Sequence, residues 1–164
     1  MRRRQTIPRQ WLITDERFGG HLLATVATLP RGSGVLVRHH ALPPAARQRL
    51  LRDLHHIGRQ RGISIVDEAK HRSARVHNAR EIRQARLSGV GLLFVSPLFA
   101  TRSHPDWQAL RPMRAAALAR LAGPRAMALG GMNARRFARV RALGFYGWAG
   151  IDAWMGQRSG RLRA

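Results

Sequence analysis

The chain has 164 residues, no cysteine and a formal net charge of +22. That length allows one domain with a real core, and the lack of cysteine excludes a disulfide framework and thiolate chemistry, which fits a reducing compartment. No apolar run reaches the roughly 18 residues of a membrane span, and the start "MRRRQTIPRQW" turns polar too soon for a secretory signal, so a soluble cytoplasmic protein without a membrane partner is expected.

The charge alone would suggest nucleic acid. Of the 30 basic residues, however, Lys70 is the single lysine, and the arginines are spread over every predicted helix instead of forming one arm. Aromatic residues make up only 6%, which leaves little material for a base-stacking platform. Nucleic acid is therefore not the expected partner, and a basic nucleic-acid-associated protein is the weakest alternative, resting on charge alone.

Short apolar runs alternate with amphipathic stretches, as in a parallel α/β protein. "WLITDE" (11–16) reads as a first strand and "GVLVRH" (34–39) as a second. A helix follows from the Pro-Pro entry at 43–44, with Leu50, Leu51, Leu54 and Ile57 on one face. "ISIVDE" (63–68) is a third strand, and "SARVHN" (73–78) is ambiguous. Asn78 followed by Glu81 makes a capping pattern for the next helix, which Gly89 should end. Then come a strand at 91–99, a helix at 111–123, a strand at 125–132, a helix from Asn133 to Gly144 and a last strand at 146–154. The whole, 1–164, reads as one domain, with 1–10 and 156–164 as disordered tails.

One place breaks the rhythm. Only residues 69–72 separate Glu68 from Ser73, whereas a parallel crossover takes about ten to twelve residues or more. Either the two flanking segments are not neighbours in the sheet, or one of them is not a strand.

Ligands of parallel α/β folds sit beyond the carboxyl ends of the strands. Those ends supply Arg38, Asp67, His77, the run through Thr101, Ser103 and His104, the pair Gly130–Gly131, and Asp152. Two glycines before Asn133 can offer bare backbone N–H groups to a phosphate, or can simply make a tight turn. His77 precedes a helix, where a neutral imidazole suited to moving protons is favoured; a histidine satisfied by a backbone carbonyl would look the same. Asp67 could bind a metal, but its neighbour Glu68 points the other way along the strand and makes a poor joint ligand.

With these residues in hand, the stretch from "SARVHNAREI" through "FVSPLFATRSHP", "ALGGMN" and "GFYGWAGIDAW" resembles the second half of the thiamine phosphate synthase and thiazole tautomerase family. Its members share "SxH", "GPxFxTxTK", "AxGGI" and "GxxGxAxxS", and "WLITDE" and "VLVRHH" are similar to the family's first two strands. The resemblance implies a (β/α)8 TIM-type barrel, here with one βα unit missing near 68–73, and seven strands or fewer. The opening in the wall would be flattened, plugged by the amino terminus, or covered by a second copy in a homodimer. It also implies a phosphorylated small-molecule substrate: a thiazole phosphate and a pyrimidine diphosphate joined with magnesium in the synthase, or a proton moved within a thiazole carboxylate phosphate in the metal-free tautomerase. A non-catalytic phosphate-binding barrel is a further alternative.

By the same resemblance Arg38 corresponds to a diphosphate-contacting arginine and Thr101 to the threonine of the rim loop. Gly130 and Gly131 correspond to the glycines that hold the thiazole phosphate, and His77 to the tautomerase acid–base group. Ser103 and His104 lie on the same rim, where the family has lysine at the His104 position. Asp152 replaces a serine of the last strand, and a carboxylate there opposes a phosphate unless it is neutralised. The family's "GVHLGQxD" segment, with its second magnesium aspartate, falls in the gap.

Overall fold

A computed structural model describes residues 6–70, 72–100 and 106–155. Among these residues, seven parallel strands form one curled sheet: β1 (Gln10–Ile13), β2 (Gly34–Val37), β3 (Ser64–Asp67), β4 (Ser73–Val76), β5 (Leu92–Val95), β6 (Met127–Ala128) and β7 (Gly147–Gly150). Five α-helices among the described residues pack outside it: α1 (Leu22–Thr28), α2 (Pro44–Arg61), α3 (Ala79–Leu87), α4 (Pro112–Ala122) and α5 (Ala134–Val140). None of the described helices is long and apolar enough to cross a membrane.

The sheet order is β3-β2-β1-β7-β6-β5-β4, so the first and last strands of the chain pair at its centre. β3 and β4, which follow one another in sequence, are its two edges. This is an incomplete α/β barrel whose wall is open between β3 and β4, where the sequence lacks a crossover. The first of the two readings of that gap is the one the fold adopts: both segments are strands, and they are not neighbours.

Strand periodicity separates two cores. One set of positions, among them Leu12, Val35, Val37, Leu93 and Val95, meets the helices. The alternate set, Trp11, Ile13, Leu36, Phe94, Met127 and Ala149, fills the barrel interior. Trp11 and Phe94 meet edge to face there, with ring centroids 6.1 Å apart. Gly34 makes room for the indole, since a Cβ at that position would lie 2.3 Å from the Trp11 ring.

Of the expected amino-terminal tail, residues 6–10 are described. Gln10 opens β1, Ile7 packs on the interior cluster, and Tyr146 donates its hydroxyl to the Ile7 carbonyl at 2.9 Å. This stretch lies at the amino ends of β1 and β7, not in the opening between β3 and β4.

Helix ends follow the capping residues. Asn78 accepts from the Glu81 N–H at 3.0 Å and Asn133 from the Arg136 N–H at 2.8 Å, while Gly62 ends α2 in the left-handed conformation. Two differences from the sequence reading concern length and number. α1 adds a helix between the first two strands, where Leu22, Val26 and Leu29 recur at helical spacing and are buried. The strands are shorter than their apolar runs. β1 stops before Asp15, whose side chain caps a 3-10 turn. The ladder of β5 stops before Pro97, which has no N–H to give, and that of β6 before Gly130 and Gly131, which have φ of 95° and 57°.

Candidate functional site

Beyond the carboxyl ends of the strands lies a cavity of about 380 Å³. Its lining continues the inward-facing parity of the strands: Arg38 follows Leu36 by two positions, Ser96 follows Phe94, Leu129 follows Met127, and Ile151 follows Ala149. The apolar interior is therefore the floor of a polar site. Of the residues singled out from the sequence, Arg38, Gly130, Gly131 and Asp152 line this one cavity. Thr101, Ser103 and His104 lie outside the described residues.

Gly130 and Gly131 form a turn that no other residue fits. A Cβ on Gly130 would lie 2.7 Å from the Pro97 Cα, and one on Gly131 would lie 2.5 Å from the Ala100 carbonyl oxygen. The segment after β5 is tied to this turn, with Leu98 N–H donating to the Leu129 carbonyl at 2.8 Å and Phe99 N–H to that of Gly130 at 3.1 Å. Arg136 donates to the Gly131 carbonyl and stacks over the Phe99 ring, which fixes its guanidinium at the cavity edge.

Asp152, the carboxylate that would oppose a phosphate, is paired. Arg17 bridges it at 2.9 Å and Asp15 at 2.8 Å. Burial works to raise the Asp15 pKa, but the bonds from the Arg17 side chain and backbone outweigh it, so the carboxyl lies below its ordinary value.

At the open edge, Asp67 faces Arg47 through both carboxylate oxygens and accepts from the Ala69 N–H at 3.0 Å. Glu68 turns toward Arg38, Arg75 and His40, with Oε2 3.4 Å from Arg38 Nε and 2.7 Å from His40 Nε2, and Oε1 3.8 Å from Arg75 Nε. Arg75 also lines the cavity, and the sequence reading did not single it out.

His77 is not in the cavity lining. Its Nδ1 lies 2.9 Å from Glu81 Oε2, which also accepts the His77 backbone N–H at 2.7 Å. A carboxylate partner favours the proton on Nδ1, and Nε2 is buried and has no hydrogen-bond partner among the described residues. Trp107 stands edge to face with the imidazole, centroids 4.9 Å apart, and itself lines the cavity. Burial raises the Glu81 pKa, the bonds from His77 and Asn78 lower it, and the balance is below the ordinary value. The sequence pattern marks Glu81 only as a capping residue. Its spacing of four from His77 across the start of a helix was the signal for the second role.

Conserved sequence features of thiamine monophosphate synthase match residues 64–154, more than half of the chain. The chain belongs to the thiamine monophosphate synthase family. Thiamine phosphate pyrophosphorylase from Pyrococcus furiosus has a similar structure, with a TM-score of 0.76 at 18% identity over 94% of this chain and 90% of that one. A mutant of FabK from Thermotoga maritima gives 0.52 at 12% identity, over 91% of this chain and 62% of that one. At these identities both likenesses are of fold. No curated protein matches the chain in sequence.

Magnesium, which the family resemblance implies for synthase chemistry, does not fit the donors present. Such an ion needs only one or two carboxylates beside substrate phosphates, so the test is whether a strand-end carboxylate is free. The carboxylates at the strand ends, Asp15, Asp67, Glu68 and Asp152, are each paired with arginine. A hard cation would have to break those pairs to gain oxygen ligands.

Proposed function

We propose that this member of the thiamine monophosphate synthase family binds a thiazole phosphate at the carboxyl-end cavity, with its phosphate on the backbone of Gly130 and Gly131. The observation that carries this reading is the glycine turn. Its two residues hold backbone angles that favour glycine, the segment 97–100 leaves no room for a Cβ, and the turn opens into a cavity edged by Arg38 and Arg136. Backbone N–H groups and guanidinium groups together suit a phosphate dianion. Asp152, held by Arg17, adds no unpaired negative charge.

Calorimetric titration with the thiazole phosphate tests this. The unaltered protein should bind it, and Gly131→Ala should weaken binding by about tenfold or more by displacing the turn. Undiminished binding by the variant would reject the cradle. Joining the thiazole phosphate to a pyrimidine diphosphate is a separate question. Incubation with both precursors and magnesium reads it directly, and the paired carboxylates support little or no thiamine phosphate as the outcome.

A second reading, a tautomerase-type proton shuttle, is favoured by the His77–Glu81 pair. The carboxylate favours the ring tautomer in which Nε2 keeps a lone pair for a carbon-bound proton. Reaching substrate requires Trp107 to shift from its place beside the imidazole. His77→Ala should then abolish aromatisation of the thiazole carboxylate phosphate while leaving its binding nearly intact; equal activity in the variant would dismiss the histidine.

A further inference from the structure

Arg75 occupies a place that sheet register assigns to the apolar interior. It stands opposite Phe94 in the β4–β5 ladder, and Phe94 stands opposite Met127 in the next. Ladder partners share a face of the sheet, so Arg75 completes a layer otherwise built from Trp11, Ile13, Leu36, Phe94, Met127 and Ala149. Burial lowers its pKa, nearby Arg38 lowers it further, and Glu68 opposes both.

Arg38 and Arg75 belong to strands on opposite arms of the sheet order, β2 and β4. They come together because the sheet curls and no strand stands between β3 and β4. Glu68, the first residue after β3, lies between them at ion-pair distance, 3.4 Å from Arg38 Nε and 3.8 Å from Arg75 Nε, and Arg38 Nε is buried without a hydrogen-bond partner among the described residues. Among the described residues, the terminal nitrogens of both guanidinium groups make no hydrogen bond to protein, and both side chains line the cavity. Two guanidinium groups thus share one carboxylate, and His40 brings no negative charge. The cluster keeps a net positive charge where water is partly excluded, a setting that strengthens attraction for an anion.

We propose that Arg75, set beside Arg38 across Glu68, turns the diphosphate-contacting position that the resemblance assigns to Arg38 into a metal-independent clamp for a phosphoryl group, in the same cavity as the glycine turn. Planar guanidinium forks match phosphoryl oxygens in geometry and charge. Here they supply the positive charge that a divalent ion would otherwise bring, and the carboxylates that could have held such an ion are spent on arginine. Glu68 is a positioning residue: it aligns the two cations and lowers their mutual repulsion without touching the ligand. The inference rests on the cavity being a phosphate-ester site.

The probe is inorganic pyrophosphate, titrated calorimetrically in EDTA and again in excess magnesium. The clamp predicts binding in EDTA that magnesium does not tighten, and a loss of about tenfold or more in Arg75→Gln under both conditions. A tightening of about tenfold or more on adding magnesium would overturn it. So would an Arg75→Gln protein that binds like the parent while Gly131→Ala does not, an outcome that leaves the glycine cradle standing. Absence of binding to every form, with and without magnesium, would overturn the phosphate-site reading along with the clamp. Should Arg75→Gln fail to fold, the comparison of EDTA with magnesium on the unaltered protein decides alone.

Discussion

The centre of the sheet and its open edge are built from different chemistry. In β1, β2, β5 and β7 every residue except Gln10 is buried, and the interior is closed by the Trp11–Phe94 contact. In β3 every residue is only half-buried, and β4 carries Arg75 on its inner face. A missing wall strand has therefore not thinned the core evenly. It has left an apolar wall on one side and, on the other, two strands in which Val66 and Arg75 face inward and Asp67 and Glu68 stand at the top with their partners. Stability is concentrated in the wall and recognition at the opening.

Truncating one inner-layer residue from each region tests that division most strongly. Phe94→Ala should cost about 3–5 kcal/mol, because the surrounding wall cannot collapse onto the space left behind. Val66→Ala, on the same inner face but in β3, should cost only about 1 kcal/mol, since its site is already half open to water. Urea unfolding of the two variants measures both. Equal losses would mean that the opening is packed as tightly as the wall.

The wall was legible in the sequence for a simple reason. Parallel strands buried on both faces are apolar runs, and "WLI", "GVLV" and "LLFV" announce themselves. Their ends were misplaced because Ser96, Leu129 and Ile151 continue the inward parity past the last ladder bond, where they line the cavity. α1 was missed because seven residues hold less than two full helical repeats. The glycine turn, Arg38 and Asp152 were legible as strand-end residues. Arg75 was not, because it lies within a strand, and nothing local says that the neighbouring wall is absent. The same gap that made "SARVHN" ambiguous as a strand is what makes an arginine tolerable inside it. The pairing of strand-end carboxylates with Arg17 and Arg47 is a matter of tertiary distance, which spacing along the chain does not encode.

The Asp67–Arg47 pair at the top of β3 sharpens the comparison at intermediate size. Both side chains are largely buried, at 9% and 16% exposure, so removing one partner strands the other. Arg47→Ala should cost about 3 kcal/mol at neutral pH. The Arg47 hydrogen bond holds the Asp67 carboxyl below its ordinary value, with burial opposing. A depressed folded pKa gives stability that is fully present above the unfolded value of about 3.9 and is lost as pH falls through the folded value. The deficit of Asp67→Asn should accordingly be widest near neutral pH and should narrow as the pH drops below about 4. Denaturation midpoints at a series of pH values read this, and a deficit independent of pH would remove the ion pair from the account.

The smallest effect is expected at Arg75, and its size discriminates most sharply between the two regions. By register this is an inner-layer position like that of Phe94, and in the wall a change there would be severe. At the opening, Arg75→Leu replaces a desolvated guanidinium with a side chain suited to the layer. It leaves Glu68 paired with Arg38 and His40, so no buried charge is abandoned. Replacing a buried ionic group by a packed apolar one is often neutral or stabilising, so the variant should unfold within about 1 kcal/mol of the parent or above it. Its pyrophosphate binding should nonetheless fall. A variant that loses stability as Phe94→Ala does would show Arg75 to be a structural part of the wall. One that keeps its stability and loses the anion would show that the opening retains a charge at the expense of the fold for the sake of what it binds.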